Sequence, residues 1–291
     1  MTPLLQVRGL SLSFGGLKAL HQVNFEVETG SITALIGPNG AGKTTAFNCI
    51  TGFYKAQQGS LLLQTPQGPV SLLTLLGEKL TWQHWLQPGQ LLQRLYYKMF
   101  GGPHRINRVG VARTFQNIRL FREMTALENL LVAQHQHLNT NLLSGLFDTA
   151  AYRRSEEAAL QKAWAMLAKV GLGQEGNRLA GTLPYGSQRR LEIARALCSS
   201  PRLLCLDEPA AGLNPQETRE LSLLLQTIRQ EMNLTILLIE HDMELVMGIS
   251  DHVVVLDHGE VIAQGGPEEI RRNQRVLEAY LGIPDEEDWE A

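Results

Sequence analysis

The chain has 291 residues, of which 44% are hydrophobic and 19% charged, a balance typical of a folded globular protein with a sizeable core. Its formal net charge of −3 gives no general attraction to nucleic acid, which usually binds a basic face. No apolar run reaches the roughly 18 residues of a membrane-spanning helix, and the N-terminus lacks the pattern of a signal peptide. We therefore expect a cytoplasmic chain, so that any transmembrane path must come from another polypeptide.

The first ~35 residues alternate apolar and polar side chains, which is typical of strands with one buried face. Gly15-Gly16 and Thr29-Gly30 are expected to be turns between short antiparallel strands. Residues 31–36 then form an apolar run that leads directly into a glycine-rich segment. This run is predicted to be a buried strand.

Residues 37–44 match G-x-x-x-x-G-K-[ST], the pattern of a phosphate-binding loop. Glycines allow consecutive backbone N–H groups to turn around phosphate oxygens, and a helix predicted over 44–50 directs its partial positive end to the same charge. We expect the Lys43 ammonium to reach the β- and γ-phosphates and the Thr44 hydroxyl to ligate Mg²⁺. The residues predicted to bind the nucleotide here are Gly37, Pro38, Asn39, Gly40, Ala41, Gly42, Lys43, Thr44 and Thr45.

A chance match to this pattern is expected on the order of once in a hundred chains of this length, given average glycine usage. Here a predicted strand precedes the loop and a predicted helix follows it, as phosphate binding requires. The alternative of a dinucleotide-binding loop needs G-x-G-x-x-G, and that spacing is absent.

Residues 70–103 are apolar and aromatic, and they make the chain between Gly59 and Arg113 unusually long. Two interpretations stay open for this segment. It is a small helical hairpin that packs on the rest of the protein, or a surface that contacts a membrane or a partner. The side chains that fall on one helix face are Leu92, Leu95, Tyr96, Met99 and Phe100.

From about residue 121 to 183 the pattern becomes helical, and one apolar stripe is predicted to pack in the core. The stripe consists of Leu160, Ala163, Trp164, Leu167 and Ala168. After residue 183 the pattern alternates between strand and helix, with apolar strands at 203–206, 236–239 and 253–256. These features predict an α/β core that is interrupted by a helical lobe.

Two acids follow the strand at 203–206. At a strand end beside the phosphate loop, the Asp207 carboxylate can hold Mg²⁺, and the Glu208 carboxylate can act as a general base towards the attacking water. Acids at strand ends are common, however, so this pair alone is weak support for a function.

Three further segments, 183–191, 207–215 and 240–242, occur in order with the phosphate loop, and together they resemble the ATPase subunits of ABC transporters. By that resemblance Phe14 stacks on adenine, Gln116 senses Mg²⁺ and the transmembrane partner, and His241 contacts the γ-phosphate. Residues 183–188 correspond to the signature segment and 211–214 to the D-loop. The signature residues implied to meet nucleotide are Tyr185, Gly186, Ser187 and Gln188, and the implied magnesium ligands are Thr44, Gln116 and Asp207.

The resemblance implies one nucleotide-binding domain over residues 1–291. Its fold would be the α/β core of a P-loop ABC ATPase, with an antiparallel β subdomain and an inserted α-helical subdomain. The implied catalytic core covers about 1–115 and 190–265 and the helical subdomain about 117–188. The extra insertion lies at about 70–103 and a C-terminal tail at about 266–291.

Residues 112–116, 120–125 and 241–247, with the signature helix, resemble in particular the LivG subfamily, the ATPases of bacterial branched-chain amino acid importers. This resemblance implies an ATPase that uses ATP and Mg²⁺ to energise uptake of branched-chain amino acids or a related small amino acid or amide. It also implies a second ABC ATPase subunit, two transmembrane permease subunits and, indirectly, a solute-binding protein. The chain would lie at the cytoplasmic face of the bacterial inner membrane.

The signature departs from the common L-S-G-G-Q pattern, because Pro184 replaces its serine and Ser187 its glutamine. Pro184 offers neither a hydroxyl nor a backbone N–H to a phosphate. Whether this variant supports full hydrolysis is left open, and the deficit leads us to expect a heterodimer with a different cassette.

The alternative function is that of a soluble ABC ATPase outside membrane transport. Such proteins would need tandem cassettes or a long coiled-coil insertion, and this sequence has neither. A small P-loop kinase would lack both the signature and His241.

Overall fold

The computed structural model describes residues 3–77, 101–134 and 150–281 of the chain. Ten strands form two sheets in these ranges, one antiparallel and one mainly parallel. Among the described helices, none combines the length and apolar character needed to span a bilayer.

The antiparallel sheet is built on the predicted N-terminal hairpin. Strand β1 (Pro3–Phe14) and strand β2 (Leu17–Glu28) pair antiparallel on either side of the turn at residues 15–16. Strands β4 (Gln58–Thr65) and β5 (Gly68–Ser71) extend the sheet in the order β2-β1-β4-β5. The predicted antiparallel strands are thus confirmed, although β1 and β2 are 12 residues each and longer than expected.

The second sheet has six strands in the order β10-β9-β3-β8-β7-β6, and all but β10 run parallel. Its strands are β3 (Ile32–Ile36), β6 (Val111–Arg113), β7 (Leu203–Asp207), β8 (Thr235–Ile239), β9 (His252–Asp257) and β10 (Glu260–Gly265). The predicted buried strands correspond to β3, β7, β8 and β9 with ends that differ by one residue. Their continuous apolar runs have a simple cause, because both faces of this sheet are covered.

The helices cover the parallel sheet and form the helical lobe. In chain order they are α1 (Lys43–Ile50), α2 (Leu72–Leu75), α3 (Pro103–Arg108), α4 (Ala126–Ala133), α5 (Ala150–Lys169), α6 (Tyr185–Cys198), α7 (Pro215–Met232), α8 (Met243–Ile249), α9 (Pro267–Arg271) and α10 (Gln274–Leu281). A short 3₁₀ turn, Ala180–Thr182, precedes α6. Helix α1 starts directly after the phosphate loop, one residue before the predicted position.

The predicted core stripe of α5 is partly wrong. Leu160 is 40% exposed and Ala168 is also on the surface, whereas Ala163 and Leu167 are buried as predicted. The buried positions are Ala159, Ala163, Met166 and Leu167, so the contact face is turned slightly from the predicted one. The apolar spacing included the exposed Leu160 and Ala168 and missed the buried Ala159 and Met166.

Two hydrophobic clusters lie on opposite faces of the parallel sheet, since successive strand residues point to opposite sides. In β7, Leu204 and Leu206 pack against the helical lobe, and Leu203 and Cys205 pack towards α1 and the antiparallel sheet. The carboxyl ends of β3, β6, β7, β8 and β9 meet at one edge of the sheet, the place where open α/β sheets bind ligands.

The 70–103 segment is only partly described. Residues 70–71 belong to β5, α2 follows, and the proposed aromatic helix face at 92–100 lies outside the described residues. Both interpretations of that segment therefore stay predictions.

Candidate functional site

The loop after β3 has a backbone that glycine alone adopts without strain. Gly37 has a φ of 145°, and a Cβ placed there would lie 2.0 Å from the Leu256 carbonyl oxygen. Gly42 has a φ of 96°, and its Cβ would lie 2.6 Å from the Ala19 carbonyl oxygen. The loop therefore packs tightly against β9 and β2. Its backbone N–H groups lie at the N-terminus of α1, where a helix favours an anion.

The Lys43 ammonium lies within this loop. It donates to the carbonyl oxygens of Gly37 at 2.7 Å and Pro38 at 2.8 Å, and the residue is only 6% exposed. Burial lowers the pKa of Lys43, and the nearby negative charge of Glu208 acts in the opposite direction. A buried cation of this kind can also bind a charged phosphate oxygen.

A cavity of about 370 Å³ opens over the loop. Its walls bring together many of the predicted nucleotide-binding residues, which come from distant parts of the sequence. The lining residues are Phe14, Leu17, Lys18, Ala19, Asn39, Gly40, Ala41, Gly42, Lys43, Thr44, Thr45, Glu208, His241 and His258. Phe14 is 47% exposed and meets Tyr54 edge-on at 5.3 Å between ring centroids, so part of its surface is free for a base.

Of the three predicted catalytic side chains, Gln116 and His241 both contact Glu208. One Glu208 carboxylate oxygen accepts from the Gln116 amide at 2.7 Å, and the other lies 2.7 Å from the His241 Nε2. The Glu208 backbone has a positive φ of 46°, and its N–H donates to the Ile239 carbonyl at the end of β8. The ends of β6, β7 and β8 thus place an amide, a carboxylate and an imidazole together, a set that can orient a water and remove its proton.

Asp207 is buried directly behind this group. Its carboxylate accepts from Arg113 at 2.7 Å, and the Arg113 guanidinium also donates to Asn48 and Thr51. The same guanidinium lies about 5 Å from the ring centroids of three phenylalanines, Phe47, Phe53 and Phe115. This cage fixes the charge that balances Asp207.

The donor set fits a magnesium ion that also binds phosphate. Mg²⁺ is usually held by one or two carboxylates together with substrate phosphates and water. Three oxygens could serve as protein ligands. Thr44 is exposed at the cavity and offers its hydroxyl oxygen, and the Gln116 amide nitrogen donates to Glu208, which leaves the amide oxygen for the ion. Asp207 uses one carboxylate oxygen for Arg113 and has the second one left. Over the described ranges no three His, Cys, Asp or Glu side chains form a metal cluster, so the ion would need the nucleotide as a ligand.

The signature residues lie away from the Lys43 cavity. The Tyr185 hydroxyl donates to the Ala211 carbonyl at 3.2 Å, and the buried Gln188 amide donates to the Leu183 carbonyl at 2.8 Å. Gly186 is packed so closely on Glu217 that a Cβ would lie 2.6 Å from its carboxylate. Tyr185 and Ser187 stay accessible to a ligand brought by a second molecule, whereas the Gln188 side chain is used inside the segment.

Several residues at this site carry no predicted role. Glu240 is buried and accepts from the N–H groups of Ala210 and His241, at 2.7 and 3.0 Å, which connects the residue before the D-loop to the histidine. Burial raises the pKa of Glu240, and those backbone hydrogen bonds oppose the rise. The Tyr280 hydroxyl in α10 accepts from the Gly37 N–H at 2.9 Å. Glu240 is adjacent to His241 in a segment already singled out, but no sequence signal links Tyr280 to a loop 243 residues away.

A phosphate loop at the carboxyl-terminal edge of a parallel sheet, with a carboxylate beside that loop, defines the class of P-loop ATPases. The family model described as "ABC transporter" matches residues 20–211, and a second one, "Branched-chain amino acid ATP-binding cassette transporter", matches residues 260–286. The chain belongs to the ABC transporter family of ATP-binding proteins.

Comparison with individual proteins shows which members of the family this chain is similar to. The chain is 53% identical over 280 residues to the high-affinity branched-chain amino acid transport ATP-binding protein BraF of Pseudomonas aeruginosa, covering 96% of this chain and 98% of BraF. It is 51% identical over 281 residues to LivG of Escherichia coli K12, with the same coverage. A crystal structure of an ABC transporter cassette in its ADP conformation matches with a TM-score of 0.76 and 29% identity, over 97% of this chain and all of that one.

These findings confirm the predicted LivG-like recognition, the ABC ATPase fold class, the ATPase activity and nucleotide as the ligand. The predicted roles of individual residues, the subdomain boundaries, the magnesium ion and the heterodimer stay predictions.

Proposed function

We propose that this chain binds and hydrolyses MgATP to energise the import of branched-chain amino acids. The observation that carries the chemistry is the contact of Glu208 with both Gln116 and His241 at the rim of the Lys43 cavity. The observation that supports the solute is the similarity to BraF and LivG, together with the branched-chain match at residues 260–286.

In the proposed reaction, adenine stacks on Phe14 and the phosphates lie on the loop N–H groups with Lys43 at the β- and γ-oxygens. Thr44, Asp207 and Gln116 would hold the magnesium ion, which would neutralise charge on the phosphates when bound. Glu208 accepts a proton from the attacking water, and His241 orients Glu208 and donates to the γ-phosphate. Gln116 contacts Glu208 directly, so displacement of its loop would also displace the base.

The proposed assembly is peripheral to the cytoplasmic face of a bacterial membrane. Two cassettes close head to tail, and each ATP lies between one phosphate loop and the other cassette's signature. The partners are a second, different ABC ATPase subunit, two transmembrane permease subunits and, indirectly, a solute-binding protein. No nucleic acid takes part.

Reconstitution tests the proposal. The chain is purified with its co-expressed membrane subunits, placed in proteoliposomes with MgATP, and assayed for uptake of labelled leucine, isoleucine, valine, urea and small amides in the presence of the binding protein. We expect ATP-dependent uptake of the three branched-chain amino acids, and no uptake with Glu208→Gln. Uptake of urea or an amide in their place would refute the solute, and an absence of any ATP-dependent transport would refute the transport function.

A further inference from the structure

The signature helix α6 contains a buried arginine that contacts the catalytic loops. Arg189 is 0% exposed, and its guanidinium donates to the carbonyl oxygens of Phe115 and Gln116, both at 2.8 Å. A longer contact of 3.4 Å reaches the carbonyl oxygen of Glu208. One side chain of α6 therefore contacts the backbone of both Gln116 and Glu208, whose side chains also bond to each other.

Glu192 lies one helical turn further along α6 and completes the arrangement. It is 1% exposed, pairs with Arg189 at 3.0 Å, and accepts from the Arg119 backbone N–H at 3.1 Å. The two opposite charges thus hold both ends of the segment 115–119. We call Arg189 and Glu192 together the loop clamp.

A purely structural role does not account for this pair. Burying two charges is costly, and an apolar pair of similar volume is often equally stable or more so. What an apolar pair would not supply is the planar fork that bonds several carbonyl oxygens at once. The contacts of the loop clamp fall on the backbone of residues at the candidate catalytic site, and not on the surrounding core.

We propose that Arg189 and Glu192 are positioning residues for ATP hydrolysis, which attach the signature helix to the Gln116 loop and to the Glu208 backbone. When α6 moves, Gln116 and Glu208 move with it relative to the phosphate loop. Engagement of the signature with a partner's nucleotide is thereby linked to the alignment of this chain's own base. The inference rests on the proposed ATPase role of Glu208.

The variant Arg189→Met with Glu192→Leu removes the loop clamp while filling its space. Because both charges of the pair are removed together, neither is left buried without the other. Arg195, which also interacts with Glu192, keeps its contact with the Phe121 ring, so we expect a thermal midpoint close to that of the wild type. In the assembled transporter, kcat should fall about 10–100-fold, the effect of misplacing a catalytic group by roughly 1 Å. The KM for ATP should change little, because neither side chain lines the Lys43 cavity.

Two control variants separate positioning from general destabilisation. Lys169→Gln with Glu231→Gln removes an opposite-charge pair between α5 and α7 and leaves residues 115–119 untouched, so kcat should stay at the wild-type value. Arg189→Lys keeps the charge beside Glu192 but lacks the fork, so kcat should lie between those of the wild type and the double variant.

Hydrogen exchange in the nucleotide-free full-length chain tests the attachment without any catalysis. Amides 115–119 should exchange faster in the double variant than in the wild type or the Lys169/Glu231 control. Unchanged exchange, or an unchanged kcat in a folded double variant, would overturn the proposal. Faster exchange in a chain whose wild type does not hydrolyse ATP would reject the proposed function and leave the attachment intact.

Discussion

Lys43 donates to two carbonyl oxygens of its own loop, those of Gly37 and Pro38, which leaves its third N–H for a phosphate oxygen. A bond from this ammonium to a charged phosphate oxygen is stronger than its bonds to the neutral carbonyls. Lys43 is thus buried although its expected partner is a ligand.

Lys43→Ala should weaken ATP binding by roughly 10–100-fold, because it removes a charge-assisted contact worth about 1.5–3 kcal/mol. Isothermal titration calorimetry of the full-length chain measures the effect, with Lys169→Ala as a control for loss of a surface lysine. An unchanged dissociation constant for Lys43→Ala would show that Lys43 does not meet the phosphates.

Tyr280→Phe should lower the free energy of unfolding by about 1–3 kcal/mol, because it leaves the buried Gly37 N–H without its acceptor. Burial raises the pKa of the Tyr280 hydroxyl, and the bond from Gly37 opposes that rise. Urea unfolding monitored by circular dichroism measures the loss. Tyr54→Phe keeps the ring contact with Phe14 and should change stability by less than about 0.5 kcal/mol, so equal effects of the two variants would contradict the assignment.

The types and order of the residues predict which segments form this site. They do not predict which side chains from distant elements contact one another. The phosphate loop is one continuous stretch, and Glu208 and His241 both follow apolar strands, so parallel strand ends bring them together. The Tyr280 contact and the Arg113 cage depend on how distant elements pack, which no local pattern records. Arg113 belongs to a segment used for the family resemblance, but nothing in that segment indicates that it pairs with Asp207.

Helix α6 combines a signature at its start with a buried ion pair near its middle. The apolar pattern around Arg189 and Glu192 would place both charges on a solvated face of an ordinary helix. They are buried because residues 115–119 pack over them and supply backbone partners. The local pattern predicts strands β3, β7, β8 and β9 more reliably, since each contains a nearly continuous apolar run.

The pH dependence of stability tests the burial of this pair. Burial raises the pKa of Glu192 above its ordinary value of 4.5, and its hydrogen bond from Arg119 and the charge of Arg189 only partly oppose this. The native state therefore binds this proton more tightly than the unfolded chain does. The resulting stability is present below about pH 4.5 and is lost as the pH rises through the raised pKa.

Arg189→Met with Glu192→Leu lacks this titration. Relative to the wild type, its free energy of unfolding should therefore increase as the pH rises from 4.5 towards neutrality. Urea unfolding of both proteins across that range gives the difference directly. A difference that is flat or falls with pH would contradict the burial of a charged Glu192.

Across the whole molecule, the signature and the Lys43 cavity lie apart, as head-to-tail pairing of two cassettes requires. Pro184 is the N-cap of α6 and lacks an N–H, so in the proposed pairing the ATP site completed by this chain's signature would lose a phosphate contact. A contact of that kind contributes about 1.5–3 kcal/mol, enough to make the ATP affinities of the two sites differ by about tenfold or more. The family and the fold class could be predicted from the sequence because the order of the motifs identifies the family, whereas pairing depends on a partner surface.

In a heterodimer, Glu208→Gln in this chain should impair transport more than the matching substitution in the partner cassette, because this chain's loop meets the partner's signature. Uptake rates of the two single variants in proteoliposomes provide the comparison. Equal damage, or full activity from two copies of this chain alone, would reject the heterodimer.

The most direct test of the account is the fate of one ATP at the Glu208 site. Glu208→Gln keeps the size of the side chain and one acceptor for its neighbours but removes the base. In the assembled transporter, radiolabelled ATP should stay bound and uncleaved at this site, with hydrolysis there slowed at least ~10²-fold. Release of ADP from this site at the wild-type rate would contradict the assignment of Glu208, and with it the proposed mechanism.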